Sequence, residues 1–302
     1  MASVVLIFRG SPDLRLRRIY YPFFLPAFLL LLFFSVYSLL GVIVLSFDQI
    51  DLRRPDVRGF SALNYLRLMR DGRFWNAIKV SFLWLLATTS GSMSIGLAIA
   101  LFLFRRFPVA EPLVSVFLVL PATLSRVGVA LIWKLIYRTF GILNYFLSLL
   151  GLELVSFLTE PKLAFISVTI VDIWQWSFLV SFLCLSLLNS IPPNYIEEAM
   201  VEGASRWEVH RFISLPMISR GLLSVFFMKL VESLRTFDLV YNLTQGGPGI
   251  TTETLDLYAF YQGVTIGGEI SYAASMSVVM LIFTLVVLTI LWRYLWRKKE
   301  EE

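Results

Sequence analysis

Cysteine and histidine are almost missing from this chain: Cys184 and His210 are the sole examples among 302 residues. A single cysteine excludes an internal disulfide, and a lone histidine gives no basis for a histidine-built metal centre. Charge is also scarce, at 16% of residues against about 25% in soluble domains. Enzyme signatures are lacking too. There is no G-x-x-x-x-G-K-[ST] phosphate loop, so the chain itself should bind no ATP, and there is no H-E-x-x-H, C-x-x-C or G-x-S-x-G. What is abundant is apolar surface: 58% of residues are hydrophobic and the mean hydropathy is +0.77. That balance describes an integral membrane protein. The net charge of +5 then reads as Lys and Arg gathered on the cytoplasmic side, not as a nucleic-acid footprint.

A helix crossing the ~30 Å hydrocarbon core needs about 20 apolar residues. Six segments qualify: Pro22–Phe47, Ala77–Phe104, Val114–Tyr137, Leu163–Asn189, Pro216–Tyr241 and Tyr272–Trp296. Lipid offers no partner for backbone N–H and C=O groups, so open-ended spans must be helices. The expectation is an all-α membrane protein with one six-helix domain over residues 22–296, an N-terminal segment 1–21 and a tail 297–302. The apolar run Val4–Phe8 is too short for a signal peptide, and Arg15, Arg17 and Arg18 lead directly into a retained first span.

Six spans put both termini on one side. Cytoplasmic termini place thirteen Lys and Arg inside, among them Arg105, Arg106, Arg206, Arg211 and Arg220, and eight outside. The bias favours this orientation. The first outer loop opposes it with Arg53, Arg54, Arg58, Arg67, Arg70 and Arg73, interleaved with Asp48, Asp51, Asp56 and Asp71. The stretch Phe60–Leu68 in that loop is amphipathic enough to lie at the interface, and Gln245-Gly246-Gly247-Pro248-Gly249 marks a turn in the last one.

Two groups inside the spans invite a transport role. Lys229, Glu232, Arg235 and Asp238 follow one another at three-residue steps, close enough to pair along a helix. Each step drifts the stripe by ~60°, so the four wind around the helix instead of sharing a face. An unpaired charge at mid-bilayer costs ~2.5–3.5 kcal/mol, which calls for pairing or a wet cavity. Glu232 and Arg235 therefore either line a pathway or tie helices together, and Asp238 equally suits the outer interface. In the fourth span, Asp172, Trp174, Gln175 and Trp176 combine aromatic faces with polar groups, as a sugar site would. Interfacial aromatics are the plainer alternative.

Between the fourth and fifth spans, segment 190–216 has its own grammar. Pro192 and Pro193 stop the fourth span, Tyr195–Val201 favours helix, Gly203 permits a bend, and Ser205 can cap a second short helix over Arg206–Phe212. Trp207 and Phe212 beside Arg206, Glu208 and Arg211 suit docking to a protein partner. The spacing of Glu197, Ala199, Gly203, Ile213, Leu215 and Pro216 resembles the EAA loop of ABC importer permeases. Glu198 departs from it, standing where a second Ala is usual. The resemblance implies a type I importer fold and a helix–turn–helix that fits a groove on a separate ATPase. Glu197, Glu198, Ala199, Gly203, Ala204, Arg206, Trp207, Ile213, Leu215 and Pro216 are then the coupling residues.

A second resemblance narrows the class. Leu234–Gly249 followed by Thr252-Glu253-Thr254-Leu255, together with Gly59-Phe60, Asn64-Tyr65, Phe74–Ala77 and Tyr272–Ser275, is similar to first-permease subunits of the maltose and glycerol-3-phosphate type. Ser271 stands where that group usually has Gly. The likeness runs from about residue 20 to 290. It implies a sugar importer in a bacterial or archaeal plasma membrane. The implied partners are a second homologous permease, two ATPase subunits holding ATP and Mg, and an extracytoplasmic sugar-binding protein. An ion-coupled carrier using Glu232, Asp238 or Asp172 is the main alternative; a membrane enzyme or a non-transporting scaffold stands further off.

Overall fold

A computed structural model describes residues 14–53, 59–105, 111–265 and 267–297. Arg9, Arg54, Asp56, Arg58, Arg106, Lys298 and Lys299 of the charge count lie outside the described residues, as do the side chains of Arg15, Arg17 and Arg18. Every regular element described is helical: α1 (Leu14–Phe47), α2 (Leu63–Arg70), α3 (Gly72–Leu103), α4 (Glu111–Thr123), α5 (Arg126–Ile136), α6 (Ile142–Leu149), α7 (Pro161–Asn189), α8 (Pro193–Val201), α9 (Arg206–Val209), α10 (Leu215–Ser233), α11 (Phe237–Leu243), α12 (Leu255–Phe260) and α13 (Ile270–Arg297). Two π-helical turns, His210–Ser214 and Tyr261–Thr265, join α9 to α10 and follow α12.

Among the described residues, five helices are long and apolar enough to span a bilayer, and the bent pair α4–α5, taken as one span, makes six. Two expected spans differ from straight rods. The third breaks after Thr123 and turns by 89° before Arg126, where Pro121 inside α4 has weakened the helix. The fifth stops at Ser233 instead of Tyr241, and the chain restarts as α11. At its other end this span begins earlier than the Leu-Pro pair suggested. Residues Arg206–Ser233 form one 28-residue helical run, not a short helix followed by a separate span. Pro216 has no N–H to give, and the wide π turn ahead of it, closed by Leu215 N–H to the His210 carbonyl, carries the helix past that gap.

The central packing is α3 against α7. Thr88, Ser92 and Ala100 are fully buried at four-residue steps with Gly96 in the same stripe, which lets the two backbones approach closely. A Cβ on Gly96 would lie 2.6 Å from Val180 Cγ1 and 2.8 Å from the Ser177 carbonyl oxygen, so no larger residue fits there. α1 packs on α13 and turns Phe24, Leu31, Phe34 and Tyr37 outward. Such wide apolar exposure fits a lipid-facing helix.

The outer segments form a tied layer. Asp71 caps α3 by accepting from the Arg73 and Phe74 N–H groups, and it also accepts from the Tyr258 and Tyr272 hydroxyls at 2.5 and 2.7 Å. Burial raises the Asp71 carboxyl, but those hydroxyl and backbone donors outweigh it and leave it below the usual carboxylate range. The arginine-rich first outer loop finds its counter-charges elsewhere in the chain. Arg73 forks onto buried Glu253 at 2.7 Å on both oxygens, and Arg53 and Arg67 share Glu269 at 2.5 and 2.6 Å.

Candidate functional site

Segment 190–216 folds as a compact helical hairpin. Pro193 opens α8, where its missing N–H is harmless. The helix ends in a Schellman motif, with Gly203 N–H to the Met200 carbonyl at 3.1 Å and Ala204 N–H to the Ala199 carbonyl at 3.0 Å. Gly203 holds φ +95° with open space around it. The backbone angle alone demands glycine there. Ser205 then starts α9 through a reciprocal capping box with Glu208.

The hairpin is amphipathic in three dimensions. Ile196 and Val209 are buried in a cluster with Leu185, Leu188 and Ile218, and Ala199 and Ala204 pack against it. Ile213 and Leu215 are half-buried, while Pro216 is exposed. Glu197, Glu198, Gly203 and Arg206 face outward, as do Val201 at 88%, Phe212 at 68% and Trp207 at 63% exposure. The structure therefore brings the expected coupling residues onto one hairpin, with two aromatics and an aliphatic side chain left uncovered. Surface of this kind suits contact with a protein or with membrane.

The second constellation is a buried charge cluster where α3, α5, α7 and α10 meet. Lys229 and Asp172 are both fully buried and their charged atoms lie 2.7 Å apart. Lys229 also donates to Ser233 Oγ at 2.8 Å, which is 3.0 and 3.1 Å from the Thr88 and Thr89 hydroxyls. Arg126, the first residue of α5, reaches Asp172 at 2.9 Å and lies 3.8 Å from Glu232. Its other terminal nitrogen donates to the Arg235 carbonyl. Two cations and two carboxylates thus balance, the Lys229–Asp172 pair fully buried and Arg126 and Glu232 half-buried beside it, as membrane depth favours.

The cluster also holds both helix breaks. Gln175, one turn beyond Asp172 on α7, donates Nε2 to the Leu124 carbonyl at 3.1 Å, at the α4–α5 bend. Arg126 begins the helix after that bend and satisfies a carbonyl at the α10–α11 break. Irregular backbone at membrane depth survives only where protein or a wet cavity satisfies it; Gln175 of α7 does so at one break, and Arg126 of α5, held by Asp172 of α7, does so at the other. Trp176 lies 5.6 Å from the Arg126 guanidinium and 5.5 Å from Lys229 Nζ. Arg126 Nε, Gln175 Oε1 and Trp176 Nε1 are buried with no hydrogen-bond partner. They leave this site with unused donors and an acceptor.

Not every expected pathway residue arrives. Trp174 packs against Trp133 and Phe178, on a different face of α7 from Asp172. Arg235 contributes its carbonyl; its side chain is 77% exposed and 3.7 Å from Glu232. Asp238 is exposed on α11, beyond the break, so the three-residue stripe does not run as one helix. Arg126 belongs to the site although the sequence reading passed over it. Its signal was present: an arginine near the middle of an expected span, just after Pro121 and Ser125.

Residues 92–300 match the family described as the binding-protein-dependent transport system inner membrane component, and the chain belongs to that family. It is a permease subunit of a membrane transport system, which excludes the ion-coupled carrier. It is 31% identical to a probable ABC transporter permease protein of Pyrococcus horikoshii, over 97% of this chain and 99% of that one. It is 30% identical to the trehalose/maltose transport system permease protein MalF of Thermococcus litoralis, over 89% and 92%. Among solved structures, it shares its fold with a bacterial ABC transporter involved in import of the acidic polysaccharide alginate. That likeness has a TM-score of 0.82 at 22% identity and covers 94% of this chain and 97% of that one.

Proposed function

We propose that this permease imports a carbohydrate delivered by an extracytoplasmic binding protein, driven by ATP hydrolysed on separate subunits. The observation that carries the coupling role is the capped hairpin over α8 and α9, with its apolar inner face anchored and its aromatic outer face free. Two ATPase subunits, holding ATP and Mg, dock on this hairpin and on that of a second homologous permease. Both termini lie in the cytoplasm, on the same side as the hairpin. Nucleotide-driven closure of the ATPases draws the hairpins together. Because α9 runs unbroken through its π turn into α10, hairpin movement passes directly to Lys229 and Glu232. Asp172, Gln175, Trp176, Glu232 and Arg126 then border the pathway, with Trp174, Arg235 and Asp238 outside its buried part. The carbohydrate class is supported by relatives named for trehalose/maltose and lactose transport.

Gly203→Asp and Glu197→Lys should each leave the subunit in the membrane but strip the ATPase from the purified complex. Normal ATPase recovery in both variants would remove the hairpin from the coupling role.

A further inference from the structure

A cavity of about 310 Å³ lies between the end of α3 and the inner side of the hairpin. Its floor is apolar: Leu101, Phe104, Ile196, Met200 and Val209. Among the described residues, its polar side chains are those of Arg105, Arg206 and His210, and no carboxylate lines it. His210 Nδ1 is buried without a hydrogen-bond partner. Arg105 holds φ +54°, a left-handed setting that non-glycine residues rarely adopt. Its nearest carboxylate, on Glu197, is 4.0 Å away and 68% exposed. So loose and solvated a pair leaves most of the five guanidinium donors free.

The geometry points to a binding site for one anionic phospholipid, its phosphate held by Arg105 and Arg206 and an acyl chain lying on the apolar floor. The inference rests on the cytoplasmic placement of the hairpin proposed above, which sets the cavity at the level of the inner-leaflet headgroups. A free anion would use only the arginines and leave the apolar floor wet. The combined lining matches an amphiphile, as basic pockets beside membrane helices do. Val201, Trp207 and Phe212, the exposed docking side chains, do not line the cavity, so a lipid there leaves these three free for the ATPase. A lipid there would brace the hairpin against α3.

The test is native mass spectrometry of the whole delipidated transporter, offered phosphatidylglycerol or phosphatidylcholine, without sugar or nucleotide. The expected result is preferential retention of phosphatidylglycerol. Arg105→Gln should lower that retention about fivefold, the value of one cation near an anionic headgroup, while Arg105→Lys keeps most of it. Met200→Trp, which fills the apolar floor without changing charge, should also lower it. Equal retention of the two lipids, or no effect of either Arg105→Gln or Met200→Trp, would overturn the site. Displacement of the lipid by inorganic phosphate would instead make it a free-anion site and overturn the lipid assignment. Because no transport is read, the result is independent of whether the cargo is a sugar.

Discussion

Among the described residues, Asp172→Asn removes the only carboxylate in contact with Lys229 Nζ, at 2.7 Å, and the closer of two beside Arg126, at 2.9 against 3.8 Å. Lys229 then keeps only neutral acceptors, Ser233 Oγ at 2.8 Å and the new amide oxygen, at a position with no solvent exposure. Breaking one side of such a buried pair costs about 3–5 kcal/mol, because the remaining charge stays buried and uncompensated. At about 2 °C per kcal/mol for a chain of this size, the unfolding midpoint should fall by about 6–10 °C. The double variant Asp172→Asn/Lys229→Met removes that stranded charge. Coupling of about 0.5–3 kcal/mol between contacting residues should make it more stable than Asp172→Asn alone. Size-exclusion chromatography of the heated, detergent-solubilised transporter, followed by tag fluorescence, reads both midpoints. A single-variant shift under about 2 °C, or a double variant less stable than the single one, would refute the buried-pair reasoning.

Glu232→Gln leaves the Lys229–Asp172 pair untouched and should change uptake kinetics without loss of subunit assembly; unchanged kinetics would make Glu232 structural only. Asp71 titrates below its unfolded value because of its hydroxyl and backbone donors. Its contribution to the outer layer is therefore present above the unfolded carboxylate range and lost as pH falls through the folded value, below about pH 4. Protease cleavage of the outer segments should increase in that acid window, and Asp71→Asn should already be cleaved at neutral pH. Acid resistance identical in wild type and variant would contradict that role.

The six spans were legible because a hydropathy window records how much apolar sequence is present, and lipid leaves helix as the open-ended choice. The hairpin was legible because its signals are local: Gly203 for the left-handed turn, and Ser205 with Glu208 for the capping box. Hydropathy averages across a bend, so the α4–α5 break stayed hidden even though Pro121 and Ser125 flank it. The charge cluster is non-local: Arg126 meets Asp172 over 46 residues and Lys229 meets it over 57. Reading Lys229 through Asp238 as one helix suggested pairing along the chain; Glu232 and Arg235 do meet at 3.7 Å, but the break at Ser233 sends the Arg235 side chain and Asp238 outward. The arginines of the first outer loop looked contrary to the charge bias for the same reason. Glu253 and Glu269, which hold Arg53, Arg67 and Arg73, are 180 to 216 residues away.

Energy supply is the point on which the coupling hairpin stands or falls. The decisive measurement is uptake of the radiolabelled sugar held by the cognate binding protein into vesicles containing the complete transporter. Uptake should require enclosed ATP on the ATPase side, persist with a proton uncoupler present, and vanish with Gly203→Asp. Uptake that collapses with the uncoupler yet survives removal of the ATPase subunits would contradict ATP-driven coupling through this hairpin.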